Sequence, residues 1–315
     1  MQVERRGIRV LGPLLVLLVW LLAACEHNPH VAGTSPSASL EPVVVASFNF
    51  PESELLAEIY AQALQRAGVP VHRVSNLGPR ELVQPAQRQG LVDVVPEYLG
   101  AALASITPNA AVDWNDQQSV LTELRRAVKA WRLVVLQPAP ASDQDGFAVT
   151  RFTAARLHLR TLSDFAKVAP HFVLGGPSEC PRRPYCLAGL QRVYGVRVKQ
   201  FLAFDDAEQR ATALDEGVID VAVTFTTDGQ LATGRLVLLR DDRGLQPTEQ
   251  VAPMVSARAI SRYGVQVTDT LNKVSAALDT RSLTFLNWRI SVADKSIAGE
   301  ARGWLDRHAV FSAER

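Results

Sequence analysis

The sequence predicts an α/β fold built as two similar lobes. Three observations carry this prediction. The chain has 315 residues, more than one average domain and enough for two with separate cores. A grammar of short apolar strand, helix and second apolar strand occurs twice. The copies are in register: Gly90-Leu91-Val92-Asp93-Val94 returns as Gly217-Val218-Ile219-Asp220-Val221 at an offset of 127, and Ser47 answers to Gly175 at 128.

The N-terminus comes first. Arg5, Arg6 and Arg9 precede the apolar run 10–24, about 15 residues where a spanning helix needs roughly 20. Residues 1–24 are therefore expected to be a secretory signal rather than a span. Their end, Leu22-Ala23-Ala24-Cys25, resembles the bacterial lipobox, which implies removal of 1–24 and lipidation of Cys25. Residues 25–42 are rich in short side chains and lack apolar periodicity, as expected of a disordered tether. His27 and His30 within it read as solvated side chains.

The folded body is expected from residue 43. A buried strand at 43–47 runs into a helix with Pro51 in its first turn, Glu52 and Glu54 at its positive end and Gly68 after it. Leu55, Leu56, Ile59, Tyr60, Ala63 and Leu64 form the apolar stripe of that helix. A helix at 79–89 and a strand at 91–95 complete the first copy. The second has a strand at 172–174, a helix at 206–216 and a strand at 218–223. Extended segments around 133–149 and 235–255 are expected to cross between lobes. The predicted partition is 43–143 plus 249–315 for one lobe and 144–248 for the other. Helices at 269–278, 283–290 and 299–307 close the chain, the last docked by Trp304 and Leu305.

Composition narrows the function. Thirty-three basic against 32 acidic side chains give a net charge of +1, so no basic field invites nucleic acid. Removing 1–24 takes away three arginines and one glutamate and moves the net charge to −1. Three cysteines rule out a cysteine-rich zinc domain. Cys180 and Cys186 flank a short proline-containing loop; outside the cytoplasm such a pair reads as a disulfide. The chain contains no G-x-S-x-G, H-E-x-x-H, P-loop or G-x-G-x-x-G motif. No catalytic residue, metal site or cofactor is expected. Asp205-Asp206 and Asp241-Asp242 read as solvated turn acids.

The segments VVVASFNFPESELLAEIYAQAL, GLVDVVPEYLGAAL, GGPSECPRRPYCLAGLQRVYGV, VTFTTDGQLATGRLVLLRDDRG and ARGWLDRHAVF resemble, in order, the osmoprotectant family of ABC-transporter substrate-binding proteins. The family handles glycine betaine, choline, carnitine or proline betaine. The resemblance implies a two-lobed, periplasmic-binding-protein-like fold of type II, its ligand cleft between lobes joined by two crossover strands. It implies a monomer on the extracytoplasmic face of the membrane, delivering a quaternary amine or other osmolyte to ABC permease and ATPase subunits. A binding protein of the same fold acting as a sensor or scaffold fits the same residues. An extracytoplasmic enzyme is the weaker alternative.

Candidate ligand residues lie beyond the carboxyl ends of strands, where open α/β sheets bind ligands. Tyr98 falls on the tyrosine of the family's EYTGT-like motif, where this chain reads EYLGA with Leu99 in place of threonine. Phe225 stands before Thr226 and Thr227, where the family often has tyrosine; it suits either a ligand face or strand-end packing. Asp145 and Phe147 lie in the first crossover, where the family often places Asn or Asp near Tyr. Ser47 and Asn49 suit either a polar solute contact or a cap for the following helix. Asp228 is expected to organise a turn with Gly229.

Overall fold

The structure is a computed structural model and describes residues 40–204 and 206–308. The expected signal segment, Cys25, His27, His30 and Asp205 lie outside the described residues.

The chain begins with β1 (Val43–Phe48), α1 (Pro51–Arg66), β2 (Val71–Gly78), α2 (Arg80–Arg88), β3 (Val94–Tyr98), α3 (Leu99–Ile106), α4 (Gln117–Val128) and β4 (Leu133–Val135). It continues through β5 (Asp145–Thr150), α5 (Arg151–Leu157), α6 (Leu162–Val168), β6 (Val173–Gly176), α7 (Leu187–Tyr194), β7 (Gln200–Ala203), α8 (Ala207–Asp215), β8 (Val221–Phe225) and β9 (Leu236–Leu238). It ends with β10 (Val251–Ser256), α9 (Ala257–Tyr263), α10 (Val265–Ala277), α11 (Thr280–Ser291) and α12 (Ile297–Arg307).

The described residues form two five-stranded sheets, ordered β2-β1-β3-β10-β4 and β7-β6-β8-β5-β9. In each, three parallel strands are followed by an antiparallel one: β10 against β3 and β4, β5 against β8 and β9. The repeat seen in the sequence is thus a repeat of topology. The antiparallel member of the first sheet arrives from beyond the second.

Both predicted strands at the repeated Gly-x-x-Asp-Val segment start three residues late, at Val94 and Val221. The aspartate is the reason. Val44 donates its backbone N–H to Asp93 Oδ2 at 3.1 Å, and Val173 donates to Asp220 Oδ2 at 2.8 Å. Each carboxylate clasps the neighbouring parallel strand at its entry, and Leu91 and Val218 stay exposed in the turn.

Each sheet has its own core. Leu55, Leu56, Ile59 and Leu64 of α1 are fully buried among Val267, Leu271, Val274, Trp304 and Leu305 of the C-terminal helices. Each such side chain stabilises the fold by roughly 1.5–3 kcal/mol. Phe147, Phe165, Leu174, Leu190 and Val221 form the second core. Tyr60 bonds Ser275 and Tyr194 bonds Asp241, so both hold helices in place. Asp206 caps α8, and Asp242 accepts from the backbone of Ser163. Glu41, two residues before β1, is held by Arg262 and Tyr263.

Two connections join the sheets side by side. Ser142 pairs antiparallel with Gln250, Asp143 N donates to Glu249 O at 3.1 Å and Val251 N donates to Ala141 O at 3.0 Å. Cys180 and Cys186 form a disulfide with Cα atoms 5.2 Å apart. Among the described residues, no helix is long and apolar enough to cross a membrane.

Candidate ligand-binding site

The carboxyl ends of β1, β3, β6 and β8 define where a ligand would sit. At the end of β3, Tyr98 is only 6% exposed. Its ring centroid lies 6.2 Å from Phe50, which lies 5.9 Å from Phe48 in a stacked pair. The Arg80 guanidinium covers the far ring of this ladder, 5.0 Å from the Phe48 centroid, and pairs with Glu97 at 2.9 Å. Phe50 is 37% exposed and offers the open aromatic face. It stands between β1 and α1, immediately before Pro51, a position the sequence reading passed over.

Tyr98 donates its hydroxyl to Glu52 Oε1 at 2.6 Å. Glu52 is buried at the start of α1 and also accepts from Asn287 Nδ2 of α11. Asn287 Nδ2 donates a second bond to Thr227 O at 2.9 Å. The Thr227 hydroxyl meets Asp143 Oδ1 at 2.7 Å. Burial pushes the Glu52 carboxyl up, against the pull of its hydrogen bonds to Thr227, Tyr98 and Asn287. Burial also raises Asp143 well above the usual carboxylate range, and the neighbouring Glu52 charge adds to it.

The other predicted residues separate into two groups. Asp145 and Phe225 are direct partners across β5 and β8, and Phe225 is 51% exposed. Asp145 is half-buried; burial raises its carboxyl and the Arg183 charge lowers it. Asn49 is exposed at the end of β1. Ser47, Thr226 and Phe147 are engaged elsewhere. Ser47 is fully buried and accepts the backbone N–H of Asn76, a residue at φ +55°. Thr226 donates to Ser142 O at 3.0 Å and accepts from Gln144 N at 2.9 Å, sewing the first connection to the end of β8. Phe147 corrects the sequence reading: it is fully enclosed in the second core, because strand alternation turns it to the same face as Val149.

The disulfide loop follows the carboxyl end of β6 and belongs to the same edge. Its Arg183 and the preceding Glu179 act on the Asp145 carboxyl, and Tyr185 lies close enough to Glu249 to feel its charge. Gln246 Nε2 holds the Tyr185 carbonyl at 2.8 Å. Glu249 accepts the backbone N–H of Ala101 at 3.0 Å. Burial raises its carboxyl to about 8, opposed by that bond and by Arg80. A Cβ on Gly100 would sit 2.7 Å from Glu249 Oε1 and from Thr248 O, so the glycine of EYLGA makes room for the second connection. Leu99 is buried against α4 with Val120, Leu121 and Leu124, so the family's threonine is replaced by a core contact. In TTDG, Asp228 accepts from Gln230 N at 2.9 Å, and Gly229 lies where a Cβ would stand 2.6 Å from Trp288 N.

Sequence reasoning missed Glu52, Asp143, Glu249, Phe50 and Tyr185. Among the described residues no group of three or more His, Cys, Asp or Glu is placed to hold a metal ion. The edge therefore offers aromatic faces and buried carboxyls, the chemistry that receives a cationic nitrogen lacking N–H donors.

Known proteins share this architecture and sequence. The glycine betaine-binding protein YehZ of Escherichia coli (strain K12) is 28% identical over 285 residues, 85% of this chain and 93% of that protein. The ergothioneine transport permease/ergothioneine binding protein EgtU of Helicobacter pylori (strain G27) is 24% identical over 93% of this chain, which spans half of that protein's length. A solved glycine betaine/carnitine/choline ABC transporter structure superposes with a TM-score of 0.80 at 22% identity, over 86% of this chain and all of that one. Residues 41–307 match the family described as the substrate binding domain of ABC-type glycine betaine transport systems, and the chain belongs to that family.

Proposed function

We propose that the protein captures a small quaternary-ammonium or zwitterionic osmolyte in the cleft between its two sheets and delivers it to an ABC permease and its ATPase. The observation that carries this reading is the Phe50–Tyr98 aromatic surface set beside the buried carboxyls of Glu52 and Asp143. Phe225, Asp145, Asn49, Thr227 and Tyr185 are the further contacts we assign. The hinge lies in the paired connections at 142–143 and 249–250, with 43–143 plus 249–315 and 144–248 as the moving bodies. Lipidation of Cys25 holds the monomer on the extracytoplasmic face.

Energetics support several aromatics rather than one. Each aromatic face contributes about 0.5–2 kcal/mol to a cation, and micromolar binding needs about 8 kcal/mol. Phe50, Tyr98, Phe225 and Tyr185 together supply roughly 2–8 kcal/mol. Polar contacts and desolvation of the cleft carry the rest.

Isothermal titration of the protein from residue 40 onward tests the reading, with glycine betaine, choline, carnitine, proline betaine, ectoine, proline, sugars and amino acids as ligands. A quaternary amine is expected to bind, and Tyr98→Ala to weaken it at least about tenfold, 1.4 kcal/mol. Silence from every quaternary amine with a clear response to another solute class overturns the substrate assignment.

A further inference from the structure

Helix α11 belongs to the first core, where its Leu283 and Leu286 are fully buried. Thr280, Thr284 and Asn287 fall at i, i+4 and i+7, along one face of the helix. Each meets a segment that joins the sheets or ends the second one. The Thr280 hydroxyl accepts the backbone N–H of Ser142, in the first connection, at 3.1 Å. Thr284 Oγ1 stands 3.5 Å from Thr226 O, just past β8. Asn287 Nδ2 donates to Thr227 O at 2.9 Å and to Glu52 Oε2. One residue further, a Cβ on Gly229 would stand 2.6 Å from Trp288 N and 2.7 Å from its Cα, so the glycine lets the turn lie against the helix backbone.

Asn287 is the rung that reaches the ligand edge. It is buried, and its amide uses both N–H hydrogens, one toward each sheet. On the first side stands Glu52, which accepts the Tyr98 hydroxyl at 2.6 Å. On the second stands the carbonyl of Thr227. Asn287 Oδ1 is buried without a partner. Turning the amide over would set that oxygen against two acceptors, so the hydrogen bonds fix its orientation. A buried acceptor left unpaired costs stability. An amide at this position is therefore held for its two donors.

We propose that Asn287 is a positioning residue of the ligand site: its two N–H bonds fix the Tyr98 ring of the first sheet relative to the turn after β8 of the second, and its helix face makes a third joint between the sheets beside the two connections. Asn287 does not touch the ligand. Its effect on binding rests on the proposed place of Tyr98 in the ligand site; the joint itself does not.

Two experiments test it. The first needs no ligand. Spin labels on Glu81→Cys of α2 and Glu208→Cys of α8, both exposed positions, report the distance between the sheets. Asn287→Leu keeps the approximate shape of the side chain and removes both donors. It is expected to broaden the distance distribution of the otherwise native protein. Gly229→Ala, which forces the turn off Trp288 and leaves Asn287 in place, is expected to change it as well, and reads the joint should Asn287→Leu fail to fold. A native distribution in either folded variant overturns the joint. The second is a double-mutant cycle read by titration with choline and glycine betaine. Asn287→Leu and Tyr98→Phe are each expected to weaken binding severalfold, and the double variant no more than the stronger single one, because both cut the same link from α11 to the ring. Losses that multiply, or native affinity in Asn287→Leu, overturn the positioning role. If neither probe binds the native protein, the solute reading falls, and the label distances still decide the joint.

Discussion

A single side chain type does different work in the two copies of the repeated turn. Asp93 accepts from Val44 N, from the Ser256 hydroxyl and from Arg258 at 2.9 Å, and its side chain is fully buried. Its counterpart Asp220 clasps Val173 N and, among the described residues, has no hydroxyl or guanidinium partner like those of Asp93. Asp93→Ala leaves the buried Ser256 hydroxyl and the Val44 N–H without their acceptor and is expected to destabilise the protein by about 2–3 kcal/mol. Asp220→Ala is expected to cost about 1 kcal/mol. Urea unfolding of both variants measures the difference; equal losses would show that the extra partners of Asp93 add nothing. The sequence identified these aspartates as landmarks but not as strand-entry clasps, since the clasp depends on a partner 47–49 positions away. Tyr98 and Phe225 were legible as strand ends because each closes an apolar strand inside a specific motif. Glu52 was read as a helix-dipole acid, and its bond to Asn287, 235 residues later, has no local signature.

At the scale of elements, legibility followed hydrophobic periodicity. The α1 helix was readable from its stripe and its flanking Pro51 and Gly68, and the three C-terminal helices from theirs. The β2 strand was not, because Val71–Gly78 lies at the sheet edge with a largely half-exposed, polar sequence. The disulfide loop was recognised as a pair of cysteines but not as part of the ligand edge, because that depends on β6 ending at the same edge of the sheet as Asp145, one strand removed across β8. Opening the loop is expected to cost roughly 2 kcal/mol for so short a span. It also frees Tyr185 and Arg183. Cys180→Ser/Cys186→Ser is therefore expected to lower the melting temperature and also weaken solute binding; a variant less stable but binding as tightly as the native protein would detach the loop from the site.

For the whole molecule, buried acids set the response to pH. Glu52, Asp143 and Glu249 all hold their protons to higher pH in the folded chain than in the unfolded one. The folded state thus binds more protons, and stability falls as pH rises. For Glu249 the window runs from its ordinary value of 4.5 to about 8. Calorimetric melting is expected to show a maximum on the acid side of neutrality, and Glu249→Gln is expected to raise the melting temperature near pH 8 while leaving it unchanged near pH 4. A native protein that becomes steadily more stable from pH 5 to pH 8 would contradict this. The two-sheet architecture itself was legible from the repeat, because the same spacing of glycine, aspartate and valine reproduces the same strand entry. The way the sheets share the chain also follows from the extended segments between them.

That sharing sets an order on biosynthesis. The strands of the second sheet are contiguous, from Asp145 to Leu238. The first sheet has a gap in its middle: β3 and β4 touch only through β10, which begins at Val251. A chain emerging from the ribosome N-terminus first can complete its second sheet while the first still lacks the strand that joins β3 to β4. Until residue 256 appears, β3 is an open, apolar edge of the kind that recruits stray strands. The half that starts first is the half that finishes last, and it is the one whose nascent form most needs a chaperone.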